Sequence, residues 1–523
     1  MRFPVSVMAA ALATASLTLA LPTAALAAPQ SATGRVFHDA NNNEKYDDGE
    51  HGLADIRVSN GRDIVKTDAQ GRYTLPIDDD TNIFVIKPQG WRTAVDANQL
   101  PQYYYIHKPA GSPKTDYPGI DPTGPLPASV DFPLYQQDEA KQFEVILFTD
   151  PQPRDIKEVE YLYHDIIADL IGDSAAFGVT LGDIAFNNLE TLEPQNEAIG
   201  KIGLPWYNVI GNHDLNFDSP TDADSDETFH RLFGPNYYSF DYSDVHFIVI
   251  DNIYWERPDP KERGGYKGRI DDKQLEFIKN DLALLPPDQM VVLLMHIPIT
   301  DLQNKGDLFR LIENRPHCIS MSGHAHYQEH RFINERGGWK GDTPHHHIVN
   351  VTACGSWWAG AKDETGIPHA TMRDGAPNGY ARLTLSGTDW DWTFVPARKP
   401  ADYQMNIWAP NSWKADGSTT EVIVNVFGGS RRSTVEMRVG DDTEWKKLKF
   451  TAREDPFFDE LKKLEKIHGE LEGQRNLPAP MKAQHIWTGH LPKDLVTGTH
   501  RISVRTTDIF GKQYTGERLI RVE

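Results

Sequence analysis

The sequence predicts an α/β protein in which a central domain of layered strands and helices is flanked on each side by an all-β domain. Two observations carry this expectation. Over residues 137–398, apolar runs alternate with stretches such as KEVEYLYHDIIADLIGD and DDKQLEFIKNDLALL, whose apolar residues recur at three-to-four spacing; that alternation builds sheets covered by helices. Over 28–136 and 399–523, short β-type runs are separated by Gly, Asn, Asp and Pro, the pattern of β-sandwiches. A chain of 523 residues accommodates about three such domains.

From the amino terminus, residues 1–27 combine Arg2, an Ala/Leu-rich run and Ala25-Leu26-Ala27, the layout of a secretory signal peptide, and no later segment is apolar enough to span a bilayer. The mature chain is therefore expected to be secreted, to the periplasm or the cell surface. GRVFHD, DIRVSNG, IVKTDAQGRYTLPI and NIFVIKP then predict the first sandwich. Within it, Asp39, Asn41, Asn43, Asp47 and Glu50 occupy positions 1, 3, 5, 9 and 12 of DANNNEKYDDGE, the oxygen spacing of an EF-hand-like loop, with Glu44 where glycine is usual. A structural calcium ion and a solvated Asx-rich turn both fit. This loop, with GLADIRVSNG and TDAQGRYTL after it, resembles the calcium-binding B-repeats of bacterial adhesins, a transthyretin-like sandwich. Pro109 to Pro127 reads as a linker.

The central region is organised around LPWYNVIGNHD, an apolar run that ends in Gly211-Asn212-His213-Asp214. Four further apolar runs end in the same way: EVILFTD at Asp150 with Gln152 beyond it, FGVTLGD at Asp183, MVVLLMH at His296, and CISMSGHAH at His324 and His326. A strand whose carboxyl end opens into a polar loop is the usual ligand-binding position of an α/β sheet, and each run here delivers metal-ligand side chains to it. In order, the blocks D-P-Q, G-D, G-N-H-D, H and G-H-A-H resemble those of the calcineurin-like metallophosphoesterases, with Gln152 where most members have histidine.

The resemblance implies a two-sheet α/β/β/α metallophosphoesterase sandwich holding two divalent metal ions. Asp183 would bridge them; Asp150, Gln152 and His326 would complete one site, and Asn212, His296 and His324 the other. It further implies hydrolysis of a small phosphate mono- or diester by a hydroxide held between the metals, with His213 as general acid and Asp214 as a candidate orienting carboxylate, Asp218 being its competitor. Gln152 puts an amide oxygen in place of an imidazole nitrogen; that harder donor favours manganese, magnesium or iron over zinc, with manganese preferred.

The GDxxDRG pattern of protein phosphatases is absent, since Gly182-Asp183 continues as Ile184-Ala185-Phe186, so phosphoprotein is a poor substrate. A formal charge of −22 argues against nucleic acid. Trp357 and Trp358, in a turn-rich loop after the metal blocks, are a candidate substrate platform or ordinary packing. Cys318 and Cys354 can form a disulfide or stay free thiols. His345, His346 and His347 are consecutive on a predicted strand and cannot face one ion. TEVIVNVFGG through YTGERLIRVE predicts an immunoglobulin-like second sandwich, interrupted by the helical DELKKLEKIHGELEG. The rival to an enzyme is a surface glycan-binding protein, built on the adhesin-like sandwich and the tryptophan loop, with a relict metal centre. Oligomeric state is not legible.

Overall fold

A computed structural model describes residues 30–523 apart from 260, 415, 417 and 469–472. The leader expected over 1–27 therefore lies outside the described residues. Among those described, no helix is long and apolar enough to cross a membrane.

The amino-terminal unit packs two sheets against each other. One joins His51–Gly52, Gln30–His38, Phe132–Gln136 and Trp91–Arg92, with Arg72–Ile77 also paired to its first long strand; the other joins Tyr104–His107, Thr81–Val85, Arg57–Ser59 and Ile64–Lys66. Period-two alternation sets the faces: Arg72–Ile77 buries Tyr73, Leu75 and Ile77 and exposes the residues between them.

The central unit has two sheets. In the first, Trp206–Val209, Phe177–Leu181 and Gln142–Phe148 run parallel, followed by Gly379–Ser386 and Asp389–Pro396. In the second, Val245–Val249, Met290–Leu294, Cys318–Ser322 and His345–Val349 run parallel, with Tyr238–Tyr242 and Glu329–Ile333 antiparallel at the two ends. Because the strand Gln142–Phe148 is covered on both faces over its carboxyl half, it is apolar and buried from Val145 to Phe148. Val145 and Leu147 point to the core between the sheets, while Ile146 and Phe148 meet Tyr161, Leu162, Ile166 and Leu170 of the covering helix. That helix, capped by Asp155, runs from Ile156 with a π turn over Tyr163–Ile167. On the second sheet lies Asp272–Ala283, capped by Asp271, whose carboxylate accepts from the Gln274 N–H.

The first two units share one continuous apolar core, and a buried polar joint fastens them. Arg57 of the first forks onto Asp241 at 2.6 Å and Asp281 at 3.0 Å of the second, and His246 bridges the same carboxylates at 2.6 and 2.8 Å. The segment read as a linker is docked, not free: Lys108 and Ser112 hold Glu227, and Pro118 accepts from Thr228 and Arg231.

The carboxy-terminal unit again packs two sheets, Met405–Trp408, Glu421–Val426, Ile486–His490 and Lys449–Phe450 against Ser412–Trp413, Gln513–Val522, Gly498–Thr507, Thr434–Val439 and Lys446–Lys447. Val424, Met437, Trp487 and Val504 lie in their shared core. The helix Pro456–His468 leaves this unit to pack Phe458 against Ala359 and Leu477.

Candidate metal centre

Five loops, each following a parallel strand, converge on one rim where both central sheets present their carboxyl ends. Asp150 and Gln152 follow Gln142–Phe148, Asp183 follows Phe177–Leu181, and Asn212 follows Trp206–Val209. His296 follows Met290–Leu294, and His324 and His326 follow Cys318–Ser322. All seven are brought together. His296 Nε2 stands 3.2 Å from each of Asp183 Oδ2, Asn212 Oδ1 and His324 Nδ1. On the other side, His326 Nε2 lies 3.5 Å from Asp150 Oδ1, and Gln152 Nε2 donates to Asp183 Oδ2 at 2.6 Å. Asp183 is thus the residue shared by the two groups. Backbone carbonyls fix two of the imidazoles: His296 Nδ1 donates to Leu181 at 2.8 Å and His326 Nδ1 to Gly355 at 2.7 Å, so that each Nε2 faces the cluster.

The loops are held in costly backbone shapes. Asp150, Gln152, Asp183, His324 and His326 all have positive φ, between 42° and 69°, a region that costs a non-glycine residue about 1–3 kcal/mol and persists where the surroundings impose it. Gly211 lies outside the positive-φ region. Its role is close approach, because a Cβ there would sit 2.0 Å from the Asp183 nitrogen, and one at Gly323 would sit 2.4 Å from Asp150 Oδ2.

The donor set fits divalent metal. Around His296 Nε2, three groups with lone pairs are crowded onto a single proton position, an arrangement that hydrogen bonding alone does not satisfy. Donor spacings of 3.2 Å match atoms each about 2.0–2.2 Å from a common ion. Burial lowers His324 to about 4 and His326 to about 3, so both imidazoles are neutral, the form that ligates. Burial pushes Asp150 up to about 7. For Asp183 burial is outweighed by the attraction of His296, which holds its carboxyl well below the usual range; in turn, burial would lower His296, but Asp183 raises it to about 9. Gln152 presents its amide nitrogen to Asp183; a turn about the last side-chain bond presents Oε1 to the cluster instead.

His213 sits at the edge, half-buried. Its backbone N–H donates to Asp183 Oδ1 at 2.9 Å, and its Nδ1 is 2.5 Å from Asn187 Oδ1. Phe186 stacks on the ring at 4.5 Å, and Arg154 lies over Phe186. Nε2 makes no protein hydrogen bond among the described residues. Burial lowers the His213 pKa below its ordinary value.

Asp214 does not orient this imidazole, which corrects the expectation. Its carboxylate is fully buried and accepts the backbone N–H groups of Gly211, Ala185 and Ile184 at 2.9, 2.8 and 3.1 Å, tying the Asp183 loop to the Asn212 loop. Asp218 does not orient it either; it accepts from the Asp116 N–H of the docked linker. Asn187, which no motif marked, holds the orienting position.

Trp357 and Trp358 are packing for the centre, not an open platform. Trp357 stacks on His326 at 4.0 Å, and buried Trp358 donates from Nε1 to the Pro151 carbonyl. Cys318 and Cys354 are free thiols, Cys354 lying beneath Gln152 and His326. His345 and His347 are occupied by Ser320 and Ser322, and His346 faces His330. The Asp39 loop closes on itself: Asp39 accepts from the N–H groups of residues 41–44, Asn41 and Asn43 donate to Asp47, and Glu50 accepts from Ala40 and Asp47. Glu44 takes the left-handed conformation that glycine would supply, at φ 60°.

Two sheets delivering a shared carboxylate, a second carboxylate, three imidazoles and two amides to one rim, with a further imidazole beside them, define a dinuclear metal-dependent phosphoesterase. Two family models match the chain: "N terminal of Calcineurin-like phosphoesterase" over residues 40–118 and "C terminal of Calcineurin-like phosphoesterase" over residues 347–514. The chain thus carries regions characteristic of calcineurin-like phosphoesterases, and these matches support a metal-dependent phosphoric ester hydrolase. No curated protein matches it significantly in sequence. Among solved structures it is similar to the purple acid phosphatase PPD1 of yellow lupin (Lupinus luteus) seeds, at 13% identity over 65% of this chain and 67% of that one, with a TM-score of 0.35. It is also similar over 23% of its length to two smaller proteins. These are the superoxide reductase (neelaredoxin) of Ignicoccus hospitalis, at 16% identity over 80% of that chain, and a putative superoxide reductase of Thermotoga maritima, at 17% over 85%, each with a TM-score of 0.14. Likenesses this distant say nothing about the reaction.

Proposed function

We propose that this enzyme is exported and cleaves a small phosphate mono- or diester, with His213 protonating the departing oxygen. The observation that carries this reading is the placement of His213. Its main chain is pinned to Asp183, its Nδ1 is committed to Asn187, and its free Nε2 stands beside the ligand cluster without belonging to it.

Two divalent ions held by the seven ligands would polarise the phosphoryl group and activate water; manganese suits the harder donor set that Gln152 creates. The chain's own part is to place the ester. The strained loops fix the ligands before substrate arrives, Asp214 holds two of those loops in register, and Asn187 keeps the His213 proton donor facing the site. The Ala/Leu-rich leader, with Ala25-Leu26-Ala27 as its cleavage site, supports export. We place a structural calcium ion in the Asp39 loop, whose test is a calcium-dependent rise in melting temperature that Asp47→Ala removes.

The experiment is hydrolysis of p-nitrophenyl phosphate and of bis(p-nitrophenyl) phosphate by the mature protein with added manganese, extended to a panel of alkyl esters. Turnover of one class over the other assigns mono- or diesterase. No turnover of any ester by protein carrying both metals would overturn the reading.

A further inference from the structure

Away from the dinuclear cluster, the seam between the amino-terminal sandwich and the central unit encloses a cavity of about 370 Å³. Asp80, Asp222, Asp226, Asp251 and Asp271 line it, and exposed Lys273 is the sole Lys or Arg among its described lining residues. Of these carboxylates Lys108 meets Asp80 alone, its ammonium being shared between Asp80 and Glu227.

Asp226 is 6% exposed, and its Oδ1 has no hydrogen-bond partner. Its Oδ2 accepts from Asn236 Nδ2 at 2.6 Å, and the same amide donates to Asp251 Oδ2 at 2.7 Å, so one neutral group holds two carboxylates together. His230, one helical turn beyond Asp226, places Nε2 3.4 Å from Asp226 Oδ2, and that nitrogen too lacks a hydrogen-bond partner. Asp226, Glu227 and His230 offer donor atoms within 4.8 Å of one another. A buried carboxylate oxygen and a buried imidazole nitrogen, both facing an acidic cavity without partners, are what a cation would satisfy.

We propose that Asp226, His230 and Asp251, with Asn236 turned to present its amide oxygen, bind one divalent transition-metal ion at this seam. One imidazole among carboxylates selects the manganese-to-zinc class, whereas calcium takes oxygen donors. Burial, with Glu227 and Asp222 nearby, pushes Asp226 well above the usual carboxylate range, and burial with Asp226 nearby does the same to Asp251; both are what a carboxylate lacking its counter-ion shows. The ion would brace the dinuclear centre from behind. Asp226 ends the loop that leaves Asp214, and Asp251 precedes Asn252, whose amide clasps the Ile297 backbone beside His296 at 2.7 and 3.0 Å.

The test uses the full chain with manganese alone as probe. Crystals soaked in manganese chloride are examined at the manganese absorption edge, and bound manganese per chain is counted in solution, for wild type, Asp226→Asn and His230→Gln. The expected result is an anomalous peak within bonding distance of Asp226 and His230 in wild type. It should be lost in both variants, which hold one fewer ion per chain while the peaks beside Asp183 remain. Should Asp226→Asn fail to fold, His230→Gln, which keeps the residue that starts the helix, carries the test. Peaks beside Asp183 without one at Asp226, a peak that survives His230→Gln, displacement by equimolar calcium, or no peak anywhere would overturn the proposal. A peak at Asp226 with none beside Asp183 would instead sink the dinuclear assignment and leave this one standing.

Discussion

Replacing Asp214 separates two readings of GNHD that adjacency in sequence cannot. The buried carboxylate accepts three backbone N–H groups from two different ligand loops. In Asp214→Ala those donors lose an acceptor whose pKa burial, with Asp183 nearby, pushes up to about 7; above that pH it is charged, and hydrogen bonds to charged groups are each worth about 1.5–3 kcal/mol. Part of that is returned because a buried charge no longer has to be desolvated, which leaves a net loss of about 3–5 kcal/mol, at the upper end for point mutants. In a domain of this size each kcal/mol moves the melting temperature by about 2–4 °C, so a drop of about 10 °C is expected. Asp214→Asn keeps one acceptor oxygen but turns an NH₂ towards an N–H, and should lose nearly as much. Both variants should bind less metal, because the Asp183 and Asn212 loops are no longer held in register. Scanning calorimetry and metal analysis read both effects. The reasoning is refuted if Asp214→Ala melts and binds metal as wild type does but loses turnover selectively on esters with poor leaving groups, since that would make Asp214 the partner of His213 after all.

His213→Asn should slow alkyl esters by about 10²–10⁴-fold and nitrophenyl esters far less, with metal content unchanged, because a strongly basic leaving oxygen needs the proton most; equal losses on both would remove the acid role. Gln152→His should keep activity and shift the metal-activation profile towards zinc, imidazole being the softer donor, and an unchanged profile would show that residue 152 is not a ligand. At the interdomain joint, burial lowers the His246 pKa, but Asp281 and Asp241 together raise it above its ordinary value. The stability it contributes is therefore complete below about pH 6.5 and lost as pH rises through the elevated folded-state pKa. For Asp241 and Asp281 burial is outweighed, chiefly by His246, so their pKa values are depressed and their contribution disappears as pH falls below the ordinary carboxylate range. Melting temperature should accordingly fall on the alkaline side in wild type and be flatter there in His246→Phe; matching alkaline slopes would show that the joint does not titrate as described.

The convergence of these seven side chains was legible because each lies just past an apolar run, and a strand that ends in a polar loop announces where its last side chains go. The motif could also name Asp183 as the shared carboxylate. What it could not name are partners set by the third dimension. Asp214 follows His213 in the chain, yet successive side chains diverge, and its carboxylate turns inwards to main-chain N–H groups that carry no residue-specific signal. Asn187 lies 26 residues before His213 in a loop with no spacing rule. For Trp357 and Trp358 a substrate platform and ordinary packing were equally legible, and only the folded loop, which seats them on His326 and Pro151, decides for packing. The Pro- and Gly-rich stretch after Pro109 has a linker's composition and a docked segment's contacts, because composition fixes what a chain cannot form, not what it rests against. The acidic seam cavity draws on residues as far apart as Asp80 and Asp271, a juxtaposition made only by packing two units on one core.

Metal content and turnover of Asp183→Asn, measured on the same preparation, test the central claim most directly. Asp183 Oδ2 lies within reach of both ligand groups, 3.2 Å from His296 Nε2 and 2.6 Å from Gln152 Nε2, so weakening this one side chain should loosen both metals at once. The expected outcome is a folded protein, by circular dichroism, that has lost metal from both positions beside Asp150 and His296 and no longer hydrolyses bis(p-nitrophenyl) phosphate or p-nitrophenyl phosphate. Two metals retained with wild-type turnover would contradict the shared-carboxylate centre on which the account rests.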